Sequence, residues 1–394
     1  EDWSRPVVRG AVAEVGALGI EAGEGEQALS PRERGRVVRA TATPGDPVAV
    51  LMLTSGTTGR PKRVPLSYRK LVAAFEAGGT PIAAEPIRLR ARPTILWASL
   101  VHIGGLYFAV ANVAAGRPTA LMERFAVEPW AELVRTLRPA LVGLPPAAMR
   151  MVLQSDLPAS TFAGVRAATS GTAALPVEEA DAFTARFGLP VLSVYGATEF
   201  AGAIAGWDLR LYEEWGAAKR GSVGRAHHGI TLRIVDRDSG EPLPAGERGL
   251  LEARGPQLPA DGWTRTTDLA SLDTDGFLFV HGRVDDAIDR GGFTIVPTVI
   301  EEALRAHPGV RDASAVGIPD ARLGEVPVAA VELRETDPPG EAELRAWLAD
   351  RLTRYQLPTE IRVVAELPRT PSLKVSRPDV RALFAADPAS RASA

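Results

Sequence analysis

From Val48 onward the chain alternates short apolar runs with amphipathic segments, and this alternation constrains its fold more than any other feature. Strands separated by helices form parallel units, because a parallel connection needs a long crossover. The pattern predicts strands at 48–53, 94–99, 140–143, 165–169 and 191–195, and helices at 67–79, 129–138 and 177–187. We therefore expect an α/β fold, with surface helix and loop in residues 1–47 and a strand followed by a buried helix at 95–115.

The pattern of predicted elements changes after Gly221. Short runs at 231–236, 249–254 and 277–280 are divided by Gly, Pro and Asp turns, which indicates a small β-rich subdomain at about 221–284. From about Asp286 the pattern indicates a compact α+β unit, with helices at 297–306 and 341–352 and strands at 314–318 and 326–333. A chain of 394 residues also exceeds one ordinary core, so we expect two or more domains.

Composition excludes several classes of function. A net charge of −3 gives no electrostatic reason to expect nucleic acid or an anionic membrane surface as the main partner. The absence of cysteine excludes disulfides, thiolate metal sites and cysteine nucleophiles, and it is compatible with the cytoplasmic location that we expect. The most apolar window, 95–115, contains His102 and Asn112, so we expect no membrane span.

A glycine- and hydroxyl-rich loop follows the first predicted strand and ends in Lys62. Glycines let backbone N–H groups approach an anion, hydroxyls add donors and lysine supplies a compact positive charge, so the loop suits phosphates. Its spacing differs from that of the common G-x-x-x-x-G-K-[ST] phosphate loop. Nearly every other basic residue is arginine, since lysine occurs elsewhere only at 70, 219 and 374.

Further motifs follow in order at 170–173, 195–199, 262–268, 282–286 and 368–375. Glu199 follows a predicted strand beside Thr198, a position that suits Mg²⁺ held together with substrate phosphates. Asp268 ends the motif at 262–268. Together with the lysine loop, these motifs resemble those of the adenylate-forming superfamily of acyl- and aryl-CoA synthetases, luciferases and peptide-synthetase adenylation domains. The resemblance covers roughly residues 48–380.

The resemblance implies a reaction in two steps. A carboxylate attacks the α-phosphate of ATP to give an acyl-adenylate and pyrophosphate, and a thiol then takes the acyl group. The implied ligands are ATP, Mg²⁺, a small-molecule carboxylic acid and coenzyme A or phosphopantetheine. The implied fold is a large N-terminal domain at 1–284, incomplete at its N-terminus, joined by a hinge near Asp285 to a small mobile C-terminal domain at 285–394.

The resemblance also assigns site residues. It assigns binding of ATP or AMP to Thr54, Ser55, Gly56, Thr57, Thr58, Gly59, Lys62, Ser170, Gly171, Thr172, Tyr195, Gly196, Asp268 and Arg283. It assigns catalysis to Lys374, Thr198, Glu199 and His102, with Glu199 as the Mg²⁺ ligand. It assigns the acyl pocket to His102, Gly143, Leu144, Ala148, Ala197 and Ala201, and the approach of the thiol to Gly291 and Gly292.

Three departures from the family pattern keep alternatives open. The family usually has glycine where Arg63, Thr267 and Leu373 stand, and it places roughly a hundred further residues before the phosphate loop. The first hypothesis is a carboxylate–CoA ligase, and the second delivers the acyl group to a carrier protein. A third, of another class, is a non-catalytic relative that binds nucleotide or acyl group. The sequence does not specify the acid, the acceptor or the oligomeric state.

Overall fold

The computed structural model describes residues 19–22, 29–33, 46–54, 62–80, 89–259, 262–284, 286–291, 293–335, 338–370 and 373–385. The chain divides into two compact units, Glu1–Pro47 and Val48–Ala394. In the first unit, strands β1 (Gly19–Ala22) and β2 (Leu29–Glu33) pair antiparallel. The expectation of helix and loop in this region was therefore wrong for these two segments.

The second unit begins with an antiparallel hairpin rather than a parallel unit. Strand β3 (Val48–Thr54) pairs with β4 (Lys62–Ser67), which the sequence pattern did not predict. Helix α1 (Tyr68–Ala77) follows directly, as predicted, because the Ser67 side chain accepts a hydrogen bond from the Lys70 N–H and caps the first turn. Gly78 ends the helix.

A mixed sheet forms the centre of the large domain. Its strand order is β11-β10-β9-β8-β7, and the parallel strands are β7 (Leu141–Gly143), β8 (Ala167–Ser170) and β9 (Val191–Ala197). Strands β10 (Gly202–Gly206) and β11 (Arg225–Ala226) continue it antiparallel. A separate parallel pair joins β5 (Thr94–Leu96) to β6 (Thr119–Leu121). The helices are α2 (Ile103–Ala114), α3 (Val127–Leu137), α4 (Pro146–Gln154), α5 (Val177–Phe187) and α6 (Leu209–Trp215).

Helix α2 is not the buried helix that its apolar composition predicted. Phe108 is 48% exposed and Val113 is 74% exposed, although both lie in an apolar stretch. Among the helices that the structure describes, none is long and apolar enough to cross a membrane.

The β-rich segment after Gly221 forms one antiparallel sheet, as its turns predict. Its strands lie in chain order: β12 (Thr231–Val235), β13 (Gly249–Arg254), β14 (Thr264–Leu272) and β15 (Leu278–Arg283). Leu251 and Leu278 are fully buried beneath this sheet, and Tyr195 of β9 packs against the same cluster. The sheet is thereby fixed beside the carboxyl end of β9.

The C-terminal segment forms a compact α+β unit. Its sheet has the order β17-β16-β19-β18, and β20 pairs parallel with β19. Its strands are β16 (Ile288–Arg290), β17 (Phe293–Ile295), β18 (Val310–Asp320), β19 (Gly324–Leu333) and β20 (Glu360–Val364). Its helices are α7 (Pro297–Arg305), α8 (Glu341–Ala349) and α9 (Arg377–Ala385). One hydrophobic cluster includes residues of α7 and α8, and a second includes residues of α9. The predicted hinge, Asp285, lies outside the described residues.

Candidate active site

The phosphate-binding loop predicted from the sequence spans the end of the first hairpin. Thr54 and Lys62 are cross-strand partners in β3 and β4, so the two ends of the loop lie side by side. The predicted loop residues between them lie outside the described part of the chain, namely Ser55, Gly56, Thr57, Thr58 and Gly59. Arg63, which replaces the family's glycine, is exposed in β4 opposite Leu53.

Three predicted nucleotide-binding side chains meet where two sheets adjoin. The Tyr195 hydroxyl donates a hydrogen bond of 2.5 Å to Asp268 Oδ2, and Arg283 Nε lies 3.8 Å from Asp268 Oδ1. The register of the sheet sets the second contact, because Asp268 of β14 is the cross-strand partner of Arg283 of β15. Burial and the neighbouring Asp268 carboxylate raise the pKa of Tyr195, so its hydroxyl remains a donor at neutral pH.

Thr267 gives this group a contact that glycine could not make. Arg283 Nη2 donates to Thr267 Oγ1 at 2.7 Å, and Arg283 Nε donates to the same oxygen at 3.2 Å. The departure from the family's glycine therefore orients the guanidinium beside Asp268.

Glu199 lies in a short 3₁₀ turn, Thr198–Phe200, at the carboxyl end of β9. Its side chain is exposed, whereas Thr198 is half-buried. The hairpin that carries this turn requires glycine at 196, since an added Cβ would lie 2.2 Å from the Gly202 carbonyl oxygen. The described residues contain no group of three or more His, Asp or Glu placed to hold a metal. A single exposed carboxylate still fits Mg²⁺ that arrives bound to phosphates.

The predicted adenine segment begins at the end of β8. Ser170, with Ser193 and Val194 of β9, lines a cavity of about 90 Å³. Among the described residues the buried Ser170 Oγ has no hydrogen-bond partner. Gly171 lies against Val194, and Thr172 adopts a φ of +72° beside Gly104.

Lys374 reaches this region from the C-terminal unit. Burial and the Arg283 guanidinium lower the pKa of Lys374, and burial and the Lys374 ammonium lower the pKa of His102. The side chain of Lys374 keeps exposed surface even though the surrounding atoms desolvate its amine. The charge of Lys374 therefore interacts with Arg283 and with His102, which lie on separate segments of the chain.

Leu373 contacts the large domain from the same loop. It adopts a φ of +63° and packs against the hydrophobic cluster that contains Ala148, Met149 and Val152 of α4. Its side chain therefore makes a contact that the family's glycine lacks.

The structure separates the predicted acyl-pocket residues into two groups. Leu144, Ala148 and Ala201 are fully buried in hydrophobic clusters. His102 and Ala197 are half-buried and Gly143 is exposed, and the acyl pocket stays a prediction. The Gly143 carbonyl accepts a hydrogen bond of 3.1 Å from Trp97 Nε1.

The predicted thiol-approach residues are only partly described. Gly291 is exposed with a φ of +58°, and its N–H donates to the Leu323 carbonyl at 2.7 Å. Gly292 lies outside the described residues.

Sequence reasoning missed a cluster of ion pairs centred on Asp312. This carboxylate is 2% exposed and contacts three arginines: Arg150, Arg305 and Arg369. Asp312 lies two residues before the predicted strand at 314–318, and nothing in the sequence indicated its partners.

Comparisons with known proteins agree with this arrangement. A family model described as AMP-binding enzyme matches residues 7–260, and one described as AMP-binding enzyme C-terminal domain matches residues 299–374. The sulfoacetate–CoA ligase of Cupriavidus necator is 38% identical over 349 residues, which cover 84% of this chain and 66% of that protein. A fatty acid–[acyl-carrier-protein] ligase of Streptomyces coeruleorubidus is 31% identical, covering 88% of this chain and 69% of that protein.

A solved structure shares the fold. The o-succinylbenzoate coenzyme A synthetase from Bacillus subtilis, in complex with ATP and magnesium ion, superposes with a TM-score of 0.70 at 28% identity. The match covers 85% of this chain and 70% of that one. The chain thus spans about two thirds of the length of the curated relatives described above, 66% and 69%.

Proposed function

Because the chain belongs to the family of AMP-binding enzymes, we propose that it activates a carboxylic acid with ATP and transfers the acyl group to coenzyme A. The family matches confirm the resemblance, and the related structure confirms the α/β class with a large and a small domain. The observation that carries the proposal is the group formed by Tyr195, Asp268 and Arg283 where two sheets adjoin. The charge of Arg283 also lowers the pKa of Lys374.

Lys374 would serve the first step. A carboxylate oxygen forms a bond to the α-phosphorus, the bond to the bridging oxygen breaks, and the electron pair leaves with pyrophosphate. Two anions must meet for this to happen, and negative charge grows on the phosphate oxygens in the transition state. A lysine held between them offsets the repulsion and stabilises that charge. Burial and the Arg283 guanidinium lower the pKa of Lys374 from its ordinary value of 10.5.

The other residues would bind and orient the nucleotide. Asp268 would accept hydrogen bonds from both ribose hydroxyls, with Tyr195 and Arg283 holding its carboxylate in place. Gly171 and Ser170 would border the adenine. Glu199 would hold Mg²⁺, which when bound neutralises phosphate charge. In the second step the thiol sulfur bonds to the acyl carbon, and AMP leaves with the electron pair.

Two alternatives remain as outcomes of the test. A carrier-protein phosphopantetheine would replace coenzyme A, and the similarity to a fatty acid–[acyl-carrier-protein] ligase supports that acceptor. A non-catalytic relative would bind ATP without releasing pyrophosphate. The presence of Asp268, Arg283, Glu199 and Lys374 together favours the enzyme. A cytoplasmic location remains a prediction.

The test is pyrophosphate release with ATP, Mg²⁺ and a panel of acids, with and without coenzyme A. The panel contains aliphatic, aromatic, polycyclic and sulfonated carboxylic acids, since the name of one relative specifies sulfoacetate. Acid-dependent release with a coenzyme A thioester product supports the proposal. ATP binding without release for any acid supports the non-catalytic relative.

Replacing Lys374 should separate the two half-reactions. Lys374→Ala should lower acid-dependent pyrophosphate release by about a hundredfold or more, because the positive charge between the two anions is lost. Thioester formation from supplied acyl-AMP should change little. Lys70→Ala, on helix α1, is the matched lysine control and should keep both activities. Equal loss of both half-reactions in Lys374→Ala would show that the assigned role is wrong.

A further inference from the structure

The Asp312 cluster joins the C-terminal unit to the large domain. Asp312 Oδ1 lies 3.1 Å from Arg150 Nη1, and Asp312 Oδ2 lies 2.7 Å from Arg369 Nη2. Arg150 belongs to α4 of the large domain, whereas Asp312 and Arg369 belong to the C-terminal unit. Arg305 Nη1, also of the C-terminal unit, lies 3.6 Å from Asp312 Oδ1. One buried carboxylate therefore connects the two parts.

Arg369 carries this connection to the loop of Lys374. Arg369 forms an isolated antiparallel bridge with Val375, and its Nη1 donates to the Leu373 carbonyl at 3.3 Å. Thr370 N–H donates to the Lys374 carbonyl at 2.8 Å, which closes the loop. The residues on both sides of Lys374 are thereby bonded to Arg369, Leu373 through the guanidinium and Val375 through the backbone.

The charges allow the cross-domain contact to break without leaving a buried ion unpaired. Arg150 Nη1 also lies 3.2 Å from Glu179 Oε1 of α5, and Asp312 keeps Arg305 and Arg369 within its own unit. An unpaired buried charge is strongly unfavourable, but each partner here retains a counter-ion after separation. The pair is therefore suited to form and break repeatedly.

We propose that Arg150 and Asp312 are positioning residues that hold Lys374 at the site during adenylate formation and separate before thioester formation. This inference rests on the proposed function. It assigns Arg150 a role through Lys374 rather than contact with substrate. Leu373 supports it independently, because the same loop also packs on the large-domain cluster that includes Met149 and Val152 of α4.

The test compares half-reactions in the full-length chain. Arg150→Met removes the cross-domain ion pair while Asp312 stays paired with Arg305 and Arg369. Glu179 also loses Arg150, but burial already raises the pKa of this carboxyl, so it can take up a proton instead of remaining an unpaired charge, and folding should be retained. We expect adenylate formation to slow by about tenfold or more, and thioester formation from supplied acyl-AMP to stay within about twofold. Arg150→Lys, which keeps the charge, should recover part of the loss.

The matched control is Arg311→Met. Arg311 binds Glu332 at 2.7 Å within the C-terminal unit and makes no ion pair with the large domain among the described residues. Arg311→Met should leave the ratio of the rates of adenylate formation and thioester formation unchanged. Equal losses of both half-reactions in Arg150→Met, or no loss of either, would overturn the proposal.

A second measurement does not depend on catalysis. Hydrogen exchange of the Thr370 and Leu373 amides, both hydrogen-bonded within the loop, should accelerate in Arg150→Met and not in Arg311→Met. If wild type releases no pyrophosphate with any acid, the proposed function fails, and the role of Arg150 in holding this loop is then judged by exchange alone. Unchanged exchange in Arg150→Met would overturn that role.

Discussion

Leu373 adopts a backbone conformation that usually belongs to glycine. Its φ is +63°, a region where a side chain costs about 1–2 kcal/mol. Its partly buried side chain meets the core cluster of the large domain, and burying a leucine contributes about 1.5–3 kcal/mol when complete. The two magnitudes are similar, so packing offsets the backbone cost, and the substitution is tolerated because the contact exists.

Two substitutions of Leu373 separate the free energy of side-chain packing from the cost of the left-handed backbone. Leu373→Gly loses packing but relieves the backbone, whereas Leu373→Ala loses packing and keeps most of the strain. Leu373→Ala should therefore have a free energy of unfolding about 1 kcal/mol below that of Leu373→Gly. Urea denaturation of both variants measures the difference. The reverse order would contradict the left-handed conformation.

The pKa of His102 should depend on the charge of Lys374. Burial and the Lys374 ammonium hold the pKa of His102 below its ordinary value of 6.5. We expect an NMR titration midpoint below 6.5, and a higher one in Lys374→Met, because a neutral side chain no longer opposes protonation. An unchanged midpoint in Lys374→Met would contradict their proximity.

The sign of the stability effect follows from the direction of this shift. The unfolded chain binds a proton on His102 more readily than the folded chain, so this residue lowers stability as pH falls through the unfolded value of about 6.5. Above that value both states are neutral and the contribution is constant. Lys374→Met should therefore lose less stability between pH 7 and pH 5 than wild type.

Local sequence predicted the candidate nucleotide-binding residues but not the ion pairs that join the large domain to the C-terminal unit. Asp268 and Arg283 could be predicted because each lies in a short motif with its own chemistry, and the structure pairs them across β14 and β15. Arg150 and Asp312 belong to no motif. Their contact depends on how the C-terminal unit packs on the large domain, and no local sequence pattern contains that information.

Helices α3 and α5 are held together by an aromatic cluster. Phe183 and Phe187, one turn apart on α5, lie with ring centroids 4.9 Å apart. Phe162 contacts both of them and also Trp130 of α3. Since this cluster lies beneath the strands that carry the site, its rigidity supports the positions of Ser170 and Tyr195.

Phe183→Ala should show how much this packing contributes. The side chain is fully buried, so we expect the free energy of unfolding to fall by about 3–5 kcal/mol. Phe108→Ala removes the same atoms from a side chain that is 48% exposed. That control should lose less than about 1 kcal/mol. Equal losses in urea denaturation would contradict the assigned core.

Whether a segment forms a helix or a strand was easier to predict than which strands pair. Helix α5 lies at the predicted 177–187, because its apolar spacing and the closing Gly188 are local signals. Strand β4 was missed because the sequence of Lys62–Ser67 has two basic residues and a proline and lacks strand alternation. Pairing with β3 fixes it as a strand, and that contact is formed across the intervening loop.

At the scale of the whole molecule, the ion pairs around Asp312 make the junction of large domain and C-terminal unit polar. Domain junctions of this kind permit relative motion more readily than apolar ones. Leu373 differs, because it adds an apolar contact beside Lys374. The junction therefore combines ion pairs with an apolar packing contact.

Helix α2 has a consequence for the behaviour of the chain in concentrated solution. Val113 is 74% exposed, and Leu121 on the neighbouring β6 is 72% exposed, so apolar side chains face water. Such surfaces attract one another, and we expect a negative osmotic second virial coefficient in static light scattering at moderate salt. Val113→Gln with Leu121→Gln should shift the coefficient toward positive values, whereas Val363→Gln on β20, which replaces one side chain that is 52% exposed, should shift it less. Colloidal stability of this chain would then be limited by the exposed apolar side chains of α2 and β6 rather than by its folding.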